Sequence, residues 1–186
     1  EGRPYGEIAY YDWDIYLIKA DRSGQAKEAY VNHHNVMIDL MQGISWSPDG
    51  SSFAFAMTPW SDIYTYKLGS SDSVNLTKTT AYFEEYPAWS PNGKLIAFIS
   101  DRRQVKGKYT SDLYTMRSDG SKMSLLVECP GRCRHPEWAP DGKRLVYQMD
   151  QDLYIVELND PKPVRLTQSG GNQYPAWSPD GQWIAF

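Results

Sequence analysis

Carboxylates and histidines are the side chains from which a catalytic or metal site would be built in this chain of 186 residues. Two acids stand together at Glu84 and Glu85, and two histidines stand together at His33 and His34. Neighbouring side chains of a strand point to opposite faces, so neither pair indicates a shared site. The sequence also contains no Gly-x-Ser-x-Gly turn, which carries the nucleophile of many serine hydrolases. We predict no catalytic residue, no metal ligand and no cofactor.

The two cysteines, Cys129 and Cys133, lie in the segment ECPGRCRHP. They are either two ordinary loop thiols or a local disulfide across the turn at Pro130 and Gly131, which would fit an oxidising compartment. A zinc site would need two more soft ligands, and His135 is the only candidate nearby. We therefore expect no zinc here.

One aspartate recurs in a short motif that appears four times along the chain. The four copies are Asp14, Asp62, Asp112 and Asp152, each followed by Ile or Leu and then Tyr. Repetition in every unit indicates a structural role, in which the carboxylate caps a turn or accepts backbone hydrogen bonds where a strand starts. Calcium would require several oxygen ligands to converge, and the sequence does not indicate that.

The elements that must position these side chains are themselves repeated. The segments ISWSPDGSSFAF, PAWSPNGKLIAF, PEWAPDGKRLVY and PAWSPDGQWIAF align without gaps. Their tryptophans are spaced by 43, 49 and 39 residues and are Trp46, Trp89, Trp138 and Trp177. A catalytic motif usually needs one copy, whereas a unit that stacks on copies of itself needs several.

Each repeat unit is predicted to form four antiparallel strands. The first contains the tryptophan, and a proline at its start removes no ladder donor. A Pro-Asp/Asn-Gly turn follows, because proline presets φ and glycine accepts a positive φ. The second strand is apolar almost throughout, as expected of a strand that is covered on both faces. The aspartate motif begins the third strand, and a short edge segment such as VNLT forms the fourth.

Four-stranded units that recur every ~40–50 residues are the pattern of β-propeller blades. We predict a single all-β propeller domain over residues 1–186, with about four visible blades. The repeat units are approximately 4–43, 44–86, 87–135 and 136–174, with a partial unit at 175–186. The repeated tryptophans are predicted to be wedges between adjacent blades. We expect a fragment of a six- to eight-bladed ring rather than a closed ring of four blades.

The order PxWSPDGxxIAF, then DIY, then LT resembles the WD-related repeat of TolB-type propellers. The same repeat occurs in the propeller domains of the prolyl oligopeptidase family. The resemblance covers essentially the whole chain, except that EAYVNHHNVMIDLMQG stands where the first unit should have a short LT strand. It implies an extracytoplasmic bacterial location, periplasmic or secreted, and association with protein partners of the envelope or membrane.

Net charge and hydrophobicity argue against a nucleic-acid partner and against a membrane-spanning segment. The formal net charge is −4, whereas nucleic-acid binding usually requires a basic face, so we expect no nucleic-acid partner. The sequence has no apolar run of about 18 residues, so we predict no membrane-spanning segment. The first residues do not show a signal peptide.

Polar and aromatic residues precede the first strands of three units and are predicted to surround the mouth of the central channel. They are Glu84, Glu85, Tyr86, Arg134, His135, Asn172, Gln173 and Tyr174. We interpret them as a candidate binding surface, with a solvated rim as the alternative. On this interpretation Glu84→Gln should leave folding nearly unchanged. The basic segment from Ser100 to Asp112 is either a recognition loop or a plain surface hairpin.

We therefore expect a non-enzymatic scaffold that binds a protein or peptide partner across its channel face. One alternative is the propeller domain of a larger hydrolase that resembles prolyl oligopeptidase. Another is a carbohydrate-binding propeller that uses aromatic residues such as Trp13, Trp60 and Tyr109.

Overall fold

Strands and turns make up the described part of the protein, which in this computed structural model comprises residues 15–18, 27–30, 43–57, 61–79 and 81–186. Three complete four-stranded antiparallel sheets follow one another along the chain. No helix occurs within these ranges. The sheets are the blades of a β-propeller, and the prediction of that fold from the repeats is confirmed.

The elements follow the order of the repeats. An initial pair consists of β1 (Ile15–Leu17) and β2 (Lys27–Tyr30). The first complete blade consists of β3 (Ile44–Trp46), β4 (Ser52–Met57), β5 (Asp62–Lys67) and β6 (Val74–Asn75). The second contains β7 (Glu84–Trp89), β8 (Leu95–Ser100), β11 (Asp112–Arg117) and β12 (Ser124–Val127), with a hairpin of β9 (Gln104–Val105) and β10 (Lys108–Tyr109) inserted. The third contains β13 (Cys133–Trp138), β14 (Arg144–Met149), β15 (Asp152–Glu157) and β16 (Asp160–Arg165), and a final pair is β17 (Ala176–Trp177) and β18 (Ile184–Ala185).

The second strand of each blade forms its core. In β4, β8 and β14 the four central residues are all buried, and each of these strands is hydrogen-bonded on both edges. Phe53, Phe98 and Tyr147 are fully buried there. The near-continuous apolar sequence of these strands follows from cover on both faces by neighbouring blades.

Pro87 and Pro136 lie inside their strands and not at the strand starts that the sequence predicts, whereas Pro175 directly precedes β17 as expected. Pro87 lies inside β7, where the pairing register with β8 shifts between Glu85 and Ala88, and an equivalent shift occurs in β13 around Pro136. A bulge interrupts the ladder locally, so a residue without an N–H group is tolerated there. The bulge also re-aims the side chain that precedes each proline.

Two of the repeated tryptophans join neighbouring blades. Trp138 is 6% exposed, and its indole Nε1 donates a hydrogen bond of 3.0 Å to the carbonyl of Ala88 in the second blade. Trp89 packs against a core cluster built from both the first and the second blade. Its backbone N–H also donates to Ser45 Oγ of the first blade at 2.8 Å.

The other two tryptophans are more open. Trp46 is 45% exposed and packs edge-on against Phe53 of its own blade, with 5.5 Å between ring centroids. Trp177 is partly buried, and the guanidinium carbon of Arg144 lies 5.0 Å from its ring centroid. The tryptophan position of the repeat therefore has different surroundings in different blades.

The Pro-Asp/Asn-Gly turns stack from one blade to the next. Gly93 has φ of 72°, and a Cβ on it would lie 3.4 Å from Pro48 Cγ of the preceding turn. At Gly142 the corresponding distance to Pro91 Cγ is 3.5 Å. Glycine therefore serves both the turn conformation and the close approach of adjacent blades.

The recurring aspartates connect third strands to the segments that lead into the next blade. Asp62 accepts a hydrogen bond from the backbone N–H of Thr79 at 3.0 Å. Asp152 accepts one from the backbone N–H of Gly170 at 3.3 Å. Asp112 accepts one from the backbone N–H of Cys129 at 2.7 Å. These bonds fix the path by which the chain reaches the axis of the propeller.

Candidate binding surface

Three planar side chains from consecutive repeats contact one another beside the innermost strands, one pair edge-on at 61° and the other tilted at 48°. Tyr86 belongs to β7, His135 to β13, and Tyr174 directly precedes the Pro175 that leads into β17. The ring centroids are 4.4 Å apart between Tyr86 and His135, and 4.4 Å apart between His135 and Tyr174. Rings at such a distance and tilt attract one another beyond their burial. We call these three residues the axial ladder.

The ladder residues share an unusual backbone conformation. Their φ angles are 55° at Tyr86, 49° at His135 and 54° at Tyr174. A positive φ is uncommon for residues with large side chains, and each case costs on the order of 1–3 kcal/mol. Such a cost persists only where the surroundings fix the conformation, and it often marks a functional site. In the first blade the equivalent residue is Gly43, with φ of 89°.

The ladder lines a cavity of about 270 Å³ that all four first strands surround. Its walls are formed by residues 43–45, 86–88, 135–137 and 174–175. Each of the last three segments contributes one buried proline beside its ladder residue. Because first strands lie closest to the axis of a propeller, the cavity belongs to the axial channel.

Two titratable groups in this cavity have shifted pKa values. Burial lowers the pKa of His135, and the nearby positive charge of Arg134 lowers it further, so the imidazole is uncharged at neutral pH. Burial raises the pKa of Glu137, although its Oε1 accepts a hydrogen bond from the Trp177 backbone N–H at 3.2 Å. The His135 imidazole therefore adds an uncharged ring to the axial surface.

The structure brings some of the predicted channel residues to this surface and places others beneath it. Tyr174 is 67% exposed, whereas Tyr86 and His135 are half-buried in the ladder. Gln173 is exposed, and Arg134 and Glu85 are half-buried. Among the residues that the sequence selected, Glu84 and Asn172 are the two whose side chains are buried.

Glu84 forms an interior ion pair instead of a surface contact. Its side chain is fully buried, and its Oε1 pairs with the guanidinium of Arg102. The guanidinium carbon of Arg102 also lies 5.2 Å from the ring centroid of Tyr114. Burial raises the pKa of Glu84, while hydrogen bonding from Thr77 and the charge of Arg102 oppose that rise. The residue links the second blade internally and is not accessible to a partner.

Asn172 has a similar structural role in the third blade. Its Nδ2 donates hydrogen bonds to Asp152 Oδ1 at 3.2 Å and to Thr167 Oγ1 at 3.0 Å. The side chain thus completes the network around a recurring aspartate. Sequence reasoning placed it at the channel because it precedes a first strand, but its side chain points into the blade.

The basic segment between β8 and β11 carries less surface charge than its sequence suggests. Arg102 pairs with Glu84, and Arg103 Nε donates to Asp112 Oδ2 at 2.7 Å. Lys106 and Lys108 remain exposed on the β9–β10 hairpin. The two arginines that made the segment look like a recognition loop are therefore part of the blade interior.

A second cavity, of about 330 Å³, lies between the second and third blades and is called the interblade cavity. Its lining contains apolar, acidic, hydroxyl and basic side chains, which are Phe83, Glu85, Ile99, Asp101, Thr110, Ser111 and Arg132. From the sequence, Glu85 is a candidate channel residue, and Asp101, Thr110 and Ser111 fall in the basic segment from Ser100 to Asp112. Nothing in the repeats indicates that these residues line one cavity with Arg132 of the next blade.

The cysteines form a disulfide in the connection that leads from β12 to β13. Cys129 and Cys133 are bonded, with their Cα atoms 6.2 Å apart, and both are buried. Of the two alternatives left open by the sequence, the structure has the disulfide. It holds the segment that carries Arg132 at the interblade cavity.

Within the described ranges, no three residues among His, Cys, Asp and Glu come together where they could hold a metal ion. No helix there is long and apolar enough to cross a membrane. Asp14, His33, His34, Trp13 and Trp60 lie outside the described residues.

Comparisons with known proteins agree with this architecture. The family model for the N-terminal region of dipeptidyl peptidase IV matches residues 90–174. Dipeptidyl-peptidase 5 of Porphyromonas gingivalis is 29% identical over 157 residues, which are 74% of this chain and 22% of that protein. The TolB homolog of Chlorobaculum tepidum is 30% identical over 179 residues, which are 91% of this chain and 40% of that protein.

A solved structure gives the same result at the level of the fold. TolB from Acinetobacter baumannii matches with a TM-score of 0.73 and 22% identity, covering 91% of this chain and 41% of that chain. The chain spans between 22% and 50% of the length of three curated relatives that it matches. It is thus a β-propeller similar to TolB-type propellers and to the propeller regions of certain peptidases.

Proposed function

We propose that this β-propeller binds an extended polypeptide segment of a protein partner at its axial surface, without catalysing a reaction on it. The observation that carries the proposal is the axial ladder of Tyr86, His135 and Tyr174, held at positive φ beside a cavity of about 270 Å³. Surfaces of aromatic rings and prolines suit an extended chain, which offers flat peptide groups and few competing conformations.

The location and the kind of partner rest on similarity. Relatives named as TolB proteins support an extracytoplasmic bacterial setting, and with it a protein partner of the cell envelope. The disulfide between Cys129 and Cys133 is consistent with an oxidising compartment. Together these observations favour a periplasmic or secreted interaction scaffold.

A binding screen tests the proposal. An array of random 12-residue peptides is probed with the purified chain and with Tyr174→Ala, which removes the most exposed ladder ring. We expect the variant to lose about tenfold in affinity for the selected peptides, as the removal of an aromatic contact typically causes. Trp183→Ala is the matched control, because Trp183 is 73% exposed and follows the turn at the other end of β17. Equal affinities of both variants would contradict the proposal.

A second candidate function is supported by the peptidase relatives. The match of residues 90–174 to the dipeptidyl peptidase IV region, and the similarity to dipeptidyl-peptidase 5, favour a propeller that presents a substrate peptide to a separate catalytic domain. The gene sequence that flanks this segment distinguishes the two candidates. A Gly-x-Ser-x-Gly turn in a following domain would favour the peptidase, and its absence from the complete gene would favour the scaffold.

A further inference from the structure

The interblade cavity lies directly beside the axial ladder. Glu85 lines the interblade cavity, and the next residue, Tyr86, belongs to the ladder. On the neighbouring blade Arg132 lines the interblade cavity, and His135, three residues later, lies in the ladder. A polypeptide that crosses the ladder therefore passes the opening of this cavity.

The backbone of Arg132 is fixed from several sides. Its N–H donates to Asp150 Oδ1 at 2.9 Å, and its carbonyl accepts from the Asp150 N–H at 3.0 Å. The next residue, Cys133, is held by the disulfide and donates its N–H to the Ser111 carbonyl at 3.3 Å. The preceding Gly131 touches the same carboxylate so closely that a Cβ there would overlap Asp150. The structure thus presents this side chain from a rigid position.

The guanidinium of Arg132 has no hydrogen-bond or ion-pair partner among the residues that the structure describes. Four other arginines form ion pairs within the described ranges, and these are Arg102, Arg103, Arg144 and Arg165. The side chain of Arg132 is exposed, and no residue in those ranges accepts a hydrogen bond from it. A guanidinium that extends from a fixed backbone at the rim of a cavity can bind a planar anion through two parallel hydrogen bonds.

The wall of the interblade cavity that faces Arg132 restricts which ligands can bind. Asp101 accepts the Phe83 N–H through Oδ1 at 2.7 Å, and burial raises the pKa of Asp101. Its carboxylate and that of Glu85 would repel an anionic group near them, so an acidic ligand group is accepted only at the side of the cavity where Arg132 lies. Phe83 and Ile99 supply an apolar surface beside them. The cavity therefore suits a single acidic group on a short stem, inserted with its charge toward Arg132.

We infer that Arg132 binds a carboxylate of the polypeptide that crosses the axial ladder and thereby selects acidic partners. This inference rests on the proposed function and names the chemistry of its ligand. The carboxylate comes either from an acidic side chain or from the C-terminus of the bound segment. Arg132 is in this sense a specificity-determining residue, and the disulfide maintains its position.

Matched peptides test the inference on the full chain. The probes are Ac-Pro-Pro-Glu-Pro-Pro-NH2, the same peptide with Gln in place of Glu, and the Gln peptide with a free C-terminal carboxylate. We expect a peptide with a carboxylate to bind about tenfold more tightly than the neutral one, as a charge-assisted pair provides. Preference for the Glu peptide indicates a side-chain source, and preference for the free acid indicates a C-terminal source.

Two variants show whether Arg132 causes the preference. Arg132→Gln should reduce the preference for carboxylate peptides over the neutral peptide to less than twofold. Arg117→Gln removes the same charge at the far end of β11, about 20 Å from Ser111 by strand geometry, and should leave the preference intact. Equal binding of all probes to the wild type, or a preference that survives Arg132→Gln, would overturn the inference.

A separate measurement applies if none of the peptides binds, which would count against the proposed function. Butyrate, which carries a single carboxylate, is then titrated into the isotopically labelled protein, and the amide signals of Thr110 and Ser111 are followed by NMR. Shifts in the wild type that disappear in Arg132→Gln support a carboxylate site at Arg132. Signals that do not move in the wild type overturn it.

Discussion

Glu84 and Glu85 are neighbours in the sequence, and strand alternation gives them opposite surroundings. Glu84 is fully buried against Arg102, whereas Glu85 lines the interblade cavity. The sequence analysis treated both as surface residues, because nothing in the motif indicates that Arg102 returns to the same blade interior. The expectation that Glu84→Gln leaves folding unchanged is therefore revised.

Glu84→Gln should lower the free energy of unfolding by about 2 kcal/mol, because it weakens a hydrogen bond to a charged group in the interior. Glu85→Gln, which changes the neighbouring position in the same way, should stay within about 0.5 kcal/mol of the wild type. Urea unfolding at pH 7 measures both. Identical midpoints for the two variants would show that the ion pair contributes nothing to stability.

His135 should make stability depend on pH. Burial lowers its pKa, so the folded state binds a proton less readily than the unfolded state. The stability that results is fully present above the unfolded pKa of about 6.5 and is lost as pH falls through the lower folded pKa. Between about pH 7.5 and pH 5.5, the wild type should lose more stability than His135→Gln. Parallel stability curves for the two proteins would contradict this expectation.

At the scale of the elements, the connection between β12 and β13 fixes the most consequential positions of the surface. The disulfide closes a loop of only a few residues, between Cys129 and Cys133. Arg132 lies within that loop, and His135 follows two residues after it. One short covalent constraint therefore orients both a cavity residue and the middle ring of the ladder.

Removal of the disulfide should have a moderate and local effect. In the chain-entropy account a loop this short stabilises the fold by about 2 kcal/mol, so the Cys129→Ala/Cys133→Ala double variant should lose about that amount. Denaturant unfolding measures the loss. Reduction of the wild type with dithiothreitol, at a concentration on the order of 1 mM, should lower its free energy of unfolding by a similar amount. A double variant as stable as the oxidised wild type would contradict the estimate.

Most of the elements could be predicted from the sequence, because local chemistry determines them. Apolar second strands such as LIAFIS, and the turns at Gly93 and Gly142, have requirements that a few adjacent residues satisfy. The bulge at Pro87 was missed, since a missing donor is tolerated equally well at a strand start and at an interruption of the ladder. The two cases differ only in the partner strand, which a single segment does not reveal.

At the scale of the whole molecule, the candidate site was only partly predictable. Tyr86, His135 and Tyr174 could be selected because each precedes a first strand in its repeat, and the structure stacks all three. Their use in binding remains a prediction. The interblade cavity could not be found in the same way, because Asp101 and Arg132 line it from two different blades, and the pattern of one repeat does not indicate which residues of the next repeat face it.

Protection from hydrogen exchange should follow the layers of each blade. The amides of β8 and β14 are paired on both edges and covered on both faces, so they should exchange most slowly. Every residue of β16 is exposed, and its amides should exchange much faster. Mass spectrometry of exchanged peptides measures this order. Equal protection of β14 and β16 would indicate that the blade opens as one unit.

The contacts between adjacent turns also affect how the number of blades in such a propeller can change. Each repeat carries a proline on one side and a glycine on the other, and the glycine of one repeat fits the proline of the repeat before it, as Gly93 fits Pro48. A duplicated repeat brings both complementary surfaces with it. The number of blades can therefore change through duplication or loss of whole units, while the join between any two of them stays the same.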